Sequence, residues 1–184
     1  LDWKFNKFKS LVYYDMNNDI ITNKNMRYIP IFKNMSKIII GESFTFSDVS
    51  VFNSLKNLRY LEIISCPKIN TVSSLKSNLE SLYFKNCQGL TDLSPLIKNC
   101  PNIFHLGIND CYCFKDISYF YQLPNLEMLS LDRCKNIKNL KPLNKCPKLK
   151  KLYIYKCNNT ENIEELTENL YWVEIMNYPA DLDY

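Results

Sequence analysis

"LESLYFKNCQGLTDLSPL", residues 79–96, places its apolar side chains at an uneven spacing that fits neither a regular helix nor a regular strand. Leu82 and Phe84 are two residues apart, which is the spacing of side chains on one face of a β-strand. The next apolar residues, Cys87, Leu90 and Leu93, follow at intervals of three. The stretch therefore predicts a short strand followed at once by a turning segment that has its own inward side.

The same spacing recurs along most of the chain. Copies begin at residues 35, 58, 79, 103, 126, 149 and 170, so the successive intervals are 23, 21, 24, 23, 23 and 21 residues. A degenerate further copy begins at Phe8. A segment of this length cannot bury an apolar side alone, and it does so by stacking against copies of itself. A repeat at this period therefore predicts a solenoid.

The repeat resembles the leucine-rich repeat, whose pattern is LxxLxLxx(N/C)xL with a period of 20 to 29 residues. In one copy Leu79, Leu82, Phe84, Cys87 and Leu90 occupy the positions of this pattern. The resemblance implies a right-handed α/β-type solenoid, shaped as a horseshoe or arc, with a parallel β-sheet on its concave face. It also implies a protein-binding role, because such solenoids present extended concave surfaces.

The return segments between the predicted strands are short and contain prolines such as Pro95 and Pro142. Proline interrupts an α-helix, so we expect turns and 3₁₀ segments with few short helices on the convex face. We divide the chain into an N-terminal cap or degenerate first repeat at 1–34, a repeat domain at 35–178, and a C-terminal tail or cap at 179–184. Segment 17–34 fits either a stretched return segment or part of the cap.

Cysteine usage follows the repeat. Of the 8 cysteines, five hold one position directly after the predicted strand: Cys66, Cys87, Cys111, Cys134 and Cys157. Cys100 and Cys146 share a second position, and Cys113 falls outside the pattern. A small thiol suits a tight inward turn, and five parallel side chains cannot pair evenly. We therefore expect reduced core cysteines, no disulfide, and an intracellular, cytoplasmic location.

Neither a metal site nor an active site is expected. The period places Cys111 in the core and His105 on the concave face, so these two cannot converge on one ion with Cys100 or Cys113. The chain has 3 glycines, too few for a phosphate-binding loop. It has a single histidine. A triad of His105, Asp132 and a serine would lie on an open surface without an oxyanion hole. We expect no enzyme activity, no cofactor and no small-molecule substrate.

Composition and charge exclude further classes. With 46% hydrophobic and 23% charged residues the chain has an ordinary globular composition. It has no apolar run long enough to cross a bilayer, and its first ten residues do not read as a signal peptide. The net charge is +4, and the basic stretch 144–156 is followed directly by the acidic stretch 161–168. Nucleic-acid binding through 144–156 is therefore an alternative that we do not favour, since such proteins carry stronger basic patches.

The outward positions of the predicted strands are the candidate binding residues. They are Tyr60, Glu62, Tyr83, Lys85, His105, Asn109, Asp132, Lys151, Tyr153, Tyr155, Trp172 and Met176. Exposed Tyr, Trp and Met commonly anchor protein interfaces, so we expect a protein partner on this face. Aromatic residues also pack across strands, and Trp172 could instead be covered by the terminal residues 178–184. For the C-terminal aromatic group we favour binding over packing.

Two further roles stay open. The cysteine-bearing repeat resembles that of intracellular proteins such as F-box substrate receptors, which implies the recognition part of a larger ubiquitin-ligase assembly. The segment "LTDLSPL" at 90–96 resembles the shorter internalin-like repeat, which implies a bacterial surface adhesin.

Overall fold

The structure, a computed structural model, describes residues 8–14, 21–166 and 170–176. Within these residues eight strands form one parallel sheet, and their order in the sheet follows the chain. The strands are β1 Ser10–Tyr14, β2 Lys37–Gly41, β3 Tyr60–Ile64, β4 Ser81–Lys85, β5 His105–Asn109, β6 Met128–Asp132, β7 Lys151–Tyr155 and β8 Trp172–Met176. The predicted solenoid with a single parallel sheet is confirmed.

The core is a set of columns that run from coil to coil. Strand pairing places Leu61 beside Leu82, and the same register continues through Leu106, Leu129 and Leu152. All five side chains are fully buried. A shift of one residue in any strand would turn its column toward solvent, so burial of these leucines maintains the register.

Within the described residues the return segments contain only short helices, as the prolines predicted. The α-helices are α1 Asn23–Met26 and α2 Leu96–Asn99. The 3₁₀ segments are Ile29–Ile31, Val49–Ser54, Phe120–Gln122, Lys141–Lys145 and Ile163–Glu165. No helix in the described part of the chain is long and apolar enough to cross a membrane.

The turn after each strand depends on a residue in the left-handed region. The residues with this conformation directly after β2 to β7 are Glu42, Ser65, Asn86, Asp110, Arg133 and Lys156, with φ between 49° and 64°. A positive φ is unfavourable for residues other than glycine, so each coil tolerates local strain. The turn directs the next side chain back into the core, and burial of that side chain compensates for the strain.

That next side chain is the repeated cysteine. The thiols of Cys87, Cys134 and Cys157 donate to strand carbonyls of the preceding coil at sulfur–oxygen distances of 3.5, 3.1 and 3.6 Å. Ser43 occupies the same position earlier in the chain, where its hydroxyl donates to the carbonyl of Ile21. All the cysteines are free, and Cys113 is exposed. Burial raises the pKa of the Cys66 thiol to about 12, so it stays protonated at neutral pH.

A second recurring contact lies within the return segments, several residues after each strand ends. A side-chain oxygen accepts a hydrogen bond from the backbone N–H two residues further on at Asp48, Thr71, Asp92, Asp116 and Asn139, with distances between 2.8 and 3.2 Å. Such local bonds satisfy backbone donors where no strand or helix partner is available. They stabilise the turn at each of these positions.

Candidate functional site: the concave sheet face

The concave face is the side of the sheet opposite the core. From β2 to β8 it carries the first, third and fifth residues of each strand, because the second and fourth are buried from β2 to β7. All the candidate binding residues predicted from the sequence occupy these odd positions and so lie on this face. Nine of the twelve fall, with neighbouring residues, into three groups that differ in how many contacts their side chains make with one another; Glu62, Lys85 and Lys151 are outside these groups.

The first group, the ring row, consists of Lys37, Tyr60, Tyr83 and His105. The Lys37 Nζ lies 4.5 Å from the Tyr60 ring centroid. The ring centroids of Tyr60 and Tyr83 are 5.3 Å apart, and those of Tyr83 and His105 are 4.9 Å apart. The Tyr83 hydroxyl lies 2.6 Å and 2.8 Å from the two His105 ring nitrogens. The ring row therefore packs across four neighbouring strands, from β2 to β5.

A glycine makes the ring row possible. A Cβ atom at Gly107 would lie 2.3 Å from Cδ1 of Tyr83, so only a residue without a side chain lets this ring lie across β5. Burial, with a contribution from the Glu62 charge, raises the pKa of Tyr83 to about 12. Burial, and then the charge of Lys151, lowers the pKa of His105 below its ordinary value of 6.5. His105 is therefore neutral at pH 7.

The second group, the central polar patch, consists of Asn109, Asp110, Asp132 and Arg133. Arg133 donates through Nε and Nη2 to the Asp110 carboxylate, with Nη2 2.7 Å from Oδ2. The same Nη2 lies 2.9 Å from Oδ2 of Asp132. The hydrogen bond from Arg133 lowers the pKa of Asp110, whereas burial raises the pKa of Asp132. One guanidinium thus joins Asp110 and Asp132.

His105 and Asp132 are not arranged as a catalytic pair. The ring nitrogens of His105 contact the Tyr83 hydroxyl, and Asp132 contacts Arg133. One oxygen each of Asn109 and Asp132 is buried without a hydrogen-bond partner among the described residues. Over the same residues, no group of three or more His, Cys, Asp or Glu side chains is placed to hold a metal ion.

The third group, the C-terminal cluster, consists of Tyr153, Tyr155, Trp172, Glu174 and Met176. The Tyr155 hydroxyl donates to Oε1 of Glu174 at 2.7 Å, and the Trp172 Nε1 lies 3.4 Å from Oε2 of the same carboxylate. Trp172 is 50% exposed and Met176 is 37% exposed. The hydrogen bond to Glu174 raises the pKa of Tyr155 to about 12. The predicted covering of Trp172 by 178–184 lies outside the described residues.

Five residues important to this face were not among the predicted binding residues: Lys37, Gly107, Asp110, Arg133 and Glu174. Glu174 has an outward strand position, so the repeat alternation could have included it. Arg133 follows β6 in the left-handed turn, and Gly107 lies under Tyr83. The sequence carries no local signal for these last two contacts, because each depends on which side chain the neighbouring coil presents.

The basic stretch 144–156 does not form one surface. Lys148 Nζ lies 2.7 Å from Oδ1 of Asn125, and Lys150 Nζ lies 3.2 Å from Oε2 of Glu127, both at the edge where the strands begin. Lys151 lies on the concave face as the first residue of β7. The lysines therefore point to different sides of the coil, which does not favour a continuous nucleic-acid track.

Comparison with known proteins gives a family match over part of the chain and a shared fold. Residues 124–168 match the family model of leucine rich repeats in two copies. The structure is similar to internalin C2 of Listeria monocytogenes, with a TM-score of 0.57, 17% identity, and coverage of 95% of this chain and 84% of that one. It is also similar to the leucine-rich repeat domain of the type III effector XopL, with a TM-score of 0.52, 16% identity, and coverage of 81% and 64%. No curated protein sequence matches significantly.

Proposed function

We propose that this chain, a leucine-rich-repeat protein by family match and by fold, is a non-catalytic module that binds a partner protein on its concave face. Leucine-rich repeats typically act in protein–protein interaction, since stacked strands build an extended surface. Eight strands spaced about 4.8 Å apart make a sheet roughly 34 Å across, which is wide enough for a protein interface of ordinary size.

The exposure of the C-terminal cluster carries the proposal. Trp172 and Met176 leave a third or more of their surface open to solvent. Tryptophan, tyrosine and methionine are enriched at the centres of interfaces, where they supply large contact area. Glu174 contacts both Tyr155 and Trp172, so these two rings are oriented before a partner arrives. Side chains that are already ordered lose less conformational entropy on binding.

Quantitative affinity purification tests the choice of face. Wild type is compared with Trp172→Ala and with the double variant Tyr153→Ala, Tyr155→Ala. The matched control is Tyr121→Ala on the convex side, where the ring is 42% exposed. Truncating an interface anchor costs about 2 kcal/mol, so the concave variants should bind roughly 30-fold more weakly. Tyr121→Ala should bind like wild type, and equal capture by all four proteins would refute the proposed face.

A substrate receptor in a larger assembly is a special case of the same proposal. Ubiquitin-ligase subunits should then copurify independently of Trp172, because they would use a different surface from the substrate. Loss of every partner together in Trp172→Ala would argue against that special case.

The same proposal places the protein in a reducing compartment. Its support is the set of buried thiols that hydrogen bond to strand carbonyls, which is a role for the reduced form. Thiol titration of protein alkylated at lysis should count 8 free cysteines. Recovery of disulfide-linked peptides would instead indicate that the protein resides in an oxidising environment.

A further inference from the structure

The edge where the strands begin carries a second feature, separate from the concave face. The residues directly before β3 to β7 are Arg59, Glu80, Phe104, Glu127 and Lys150. Phe104 is 40% exposed in the middle of this row. A shallow, open cleft of about 540 Å³ is lined by Glu80, Asn102, Phe104, Asn125 and Glu127. The row therefore places an exposed aromatic ring between two carboxylates.

On one side, an anchored arginine draws Glu80 away from the ring. Arg59 Nη1 donates to the carbonyls of Lys56 and Leu58 at 3.0 Å and 3.1 Å, which fixes the guanidinium on its own coil. Its Nε lies 3.4 Å from Oε1 of Glu80. Glu80 therefore leans toward β3, on the side away from Phe104.

On the other side, a lysine acts in the same way on Glu127. Lys150 Nζ lies 3.2 Å from Oε2 of Glu127, so this carboxylate leans toward β7. Asn125 is also held, since it donates to the carbonyl of Pro101 and accepts from Lys148. The two ion pairs thus keep the glutamates apart and the cleft open. Both pairs are exposed and contribute little to stability, so the carboxylates are free to turn inward toward a ligand.

We propose that this cleft binds an arginine side chain of a partner protein. The guanidinium would stack on the Phe104 ring and donate hydrogen bonds to Glu80 and Glu127. A planar cation on an aromatic face and charge-assisted bonds to carboxylates are the two contacts that arginine makes best. The cleft contains both the aromatic ring and the carboxylates, and it is separate from the concave face.

Dimensions favour arginine over lysine. Glu80 and Glu127 are two strands apart, and two spacings of about 4.8 Å separate their backbones by about 9.6 Å. A guanidinium with a hydrogen bond on each side spans roughly 8 Å, whereas an ammonium spans roughly 6 Å. Once both carboxylates turn inward from their ion pairs, the guanidinium reaches both of them and the ammonium reaches only one.

An NMR titration with three small probes tests the site. The probes are N-acetyl-arginine methylamide, the lysine equivalent, and the citrulline equivalent, which has nearly the shape of arginine without its charge. Arginine should shift the backbone amides of Phe104 and its neighbours with a millimolar dissociation constant. Lysine should bind about threefold more weakly, because it makes one carboxylate contact fewer. Citrulline should bind at least about tenfold more weakly than arginine.

Variants separate the site from general surface charge. The double variant Glu80→Gln, Glu127→Gln should weaken arginine binding at least about fivefold. Glu165→Gln is the matched control, since Glu165 is 45% exposed and pairs with Lys141 elsewhere on the coil. Phe104→Ala should also lose binding and Phe104→Tyr should keep it, which distinguishes loss of the ring from loss of fold.

Three results would overturn the proposal. They are equal shifts by citrulline and arginine, equal weakening by Glu165→Gln and the double variant, and no shift near Phe104 up to roughly 50 mM arginine probe. The concave-face proposal would survive any of these, because its variants and its surface are different.

Discussion

The two ends of the concave face carry similar side chains in different states. In the ring row, Tyr60, Tyr83 and His105 are half-buried against one another. In the C-terminal cluster, Trp172 is 50% exposed and is held in place by Glu174. Aromatic residues on a sheet surface therefore do not identify a binding site by type alone. What distinguishes the two ends is how much ring surface the protein itself already covers.

The largest expected difference between the two ends is in stability. Tyr83→Ala removes ring contacts to Tyr60 and His105, so we expect it to lower the free energy of unfolding by about 2 kcal/mol. Trp172→Ala removes a half-exposed ring, and we expect a loss below about 1 kcal/mol. Urea unfolding followed by circular dichroism measures both. Equal losses would mean that the C-terminal cluster is also a packing feature.

The next expected effect isolates the close approach of Tyr83 to Gly107. A Cβ atom at position 107 would displace the tyrosine ring, so Gly107→Ala should destabilise the protein by about 1 to 2 kcal/mol. In a Tyr83→Ser background the same substitution should be neutral or stabilising, since alanine suits a strand better than glycine. A double-mutant cycle of unfolding free energies gives the coupling. A coupling near zero would show that the ring does not rest on this glycine.

The core and the concave face differ in how well the sequence predicts them. Each leucine of the core column lies in a copy of one pattern, so the period alone aligns Leu61 with Leu82 and continues to Leu152. Burial forces that alignment, because any other register exposes the whole column. The repeated side-chain bonds at Asp92 and Asp116, within the return segments, were not predicted, since polar positions vary among the copies.

Contacts on the concave face depend on side-chain reach, which the period does not encode. The period does place Tyr83 beside Gly107, but not the tilt of the ring across it. His105 and Asp132 were considered together because their strands are neighbours. However, they are the first and fifth residues of those strands, and four steps of about 3.3 Å separate the two positions by roughly 13 Å along the strand direction. Counting the position within the strand would have excluded this pair.

The smallest expected effect is a pH dependence confined to the ring row. The chain has 1 histidine, so a single imidazole signal reports on His105. Burial, and then Lys151, lowers its pKa below 6.5 in the folded protein, whereas the unfolded chain binds the proton near 6.5. The folded state therefore binds fewer protons just below pH 6.5, and stability falls as the pH drops through that range. Above about pH 7 both states are neutral at this position, so the effect vanishes.

NMR titration of the imidazole protons measures the pKa of His105 in the wild type and in variants of the ring row and the C-terminal cluster. The midpoint should lie below 6.5 in wild type and in Trp172→Ala, because the C-terminal cluster does not cover the ring. Tyr83→Ala should raise the midpoint toward 6.5, since it opens His105 to water and burial is the larger cause of the shift. Lys151→Met should raise it less. A wild-type midpoint at or above 6.5 would mean that the ring row leaves His105 solvated, and the packing role assigned to Tyr83 would fail with it.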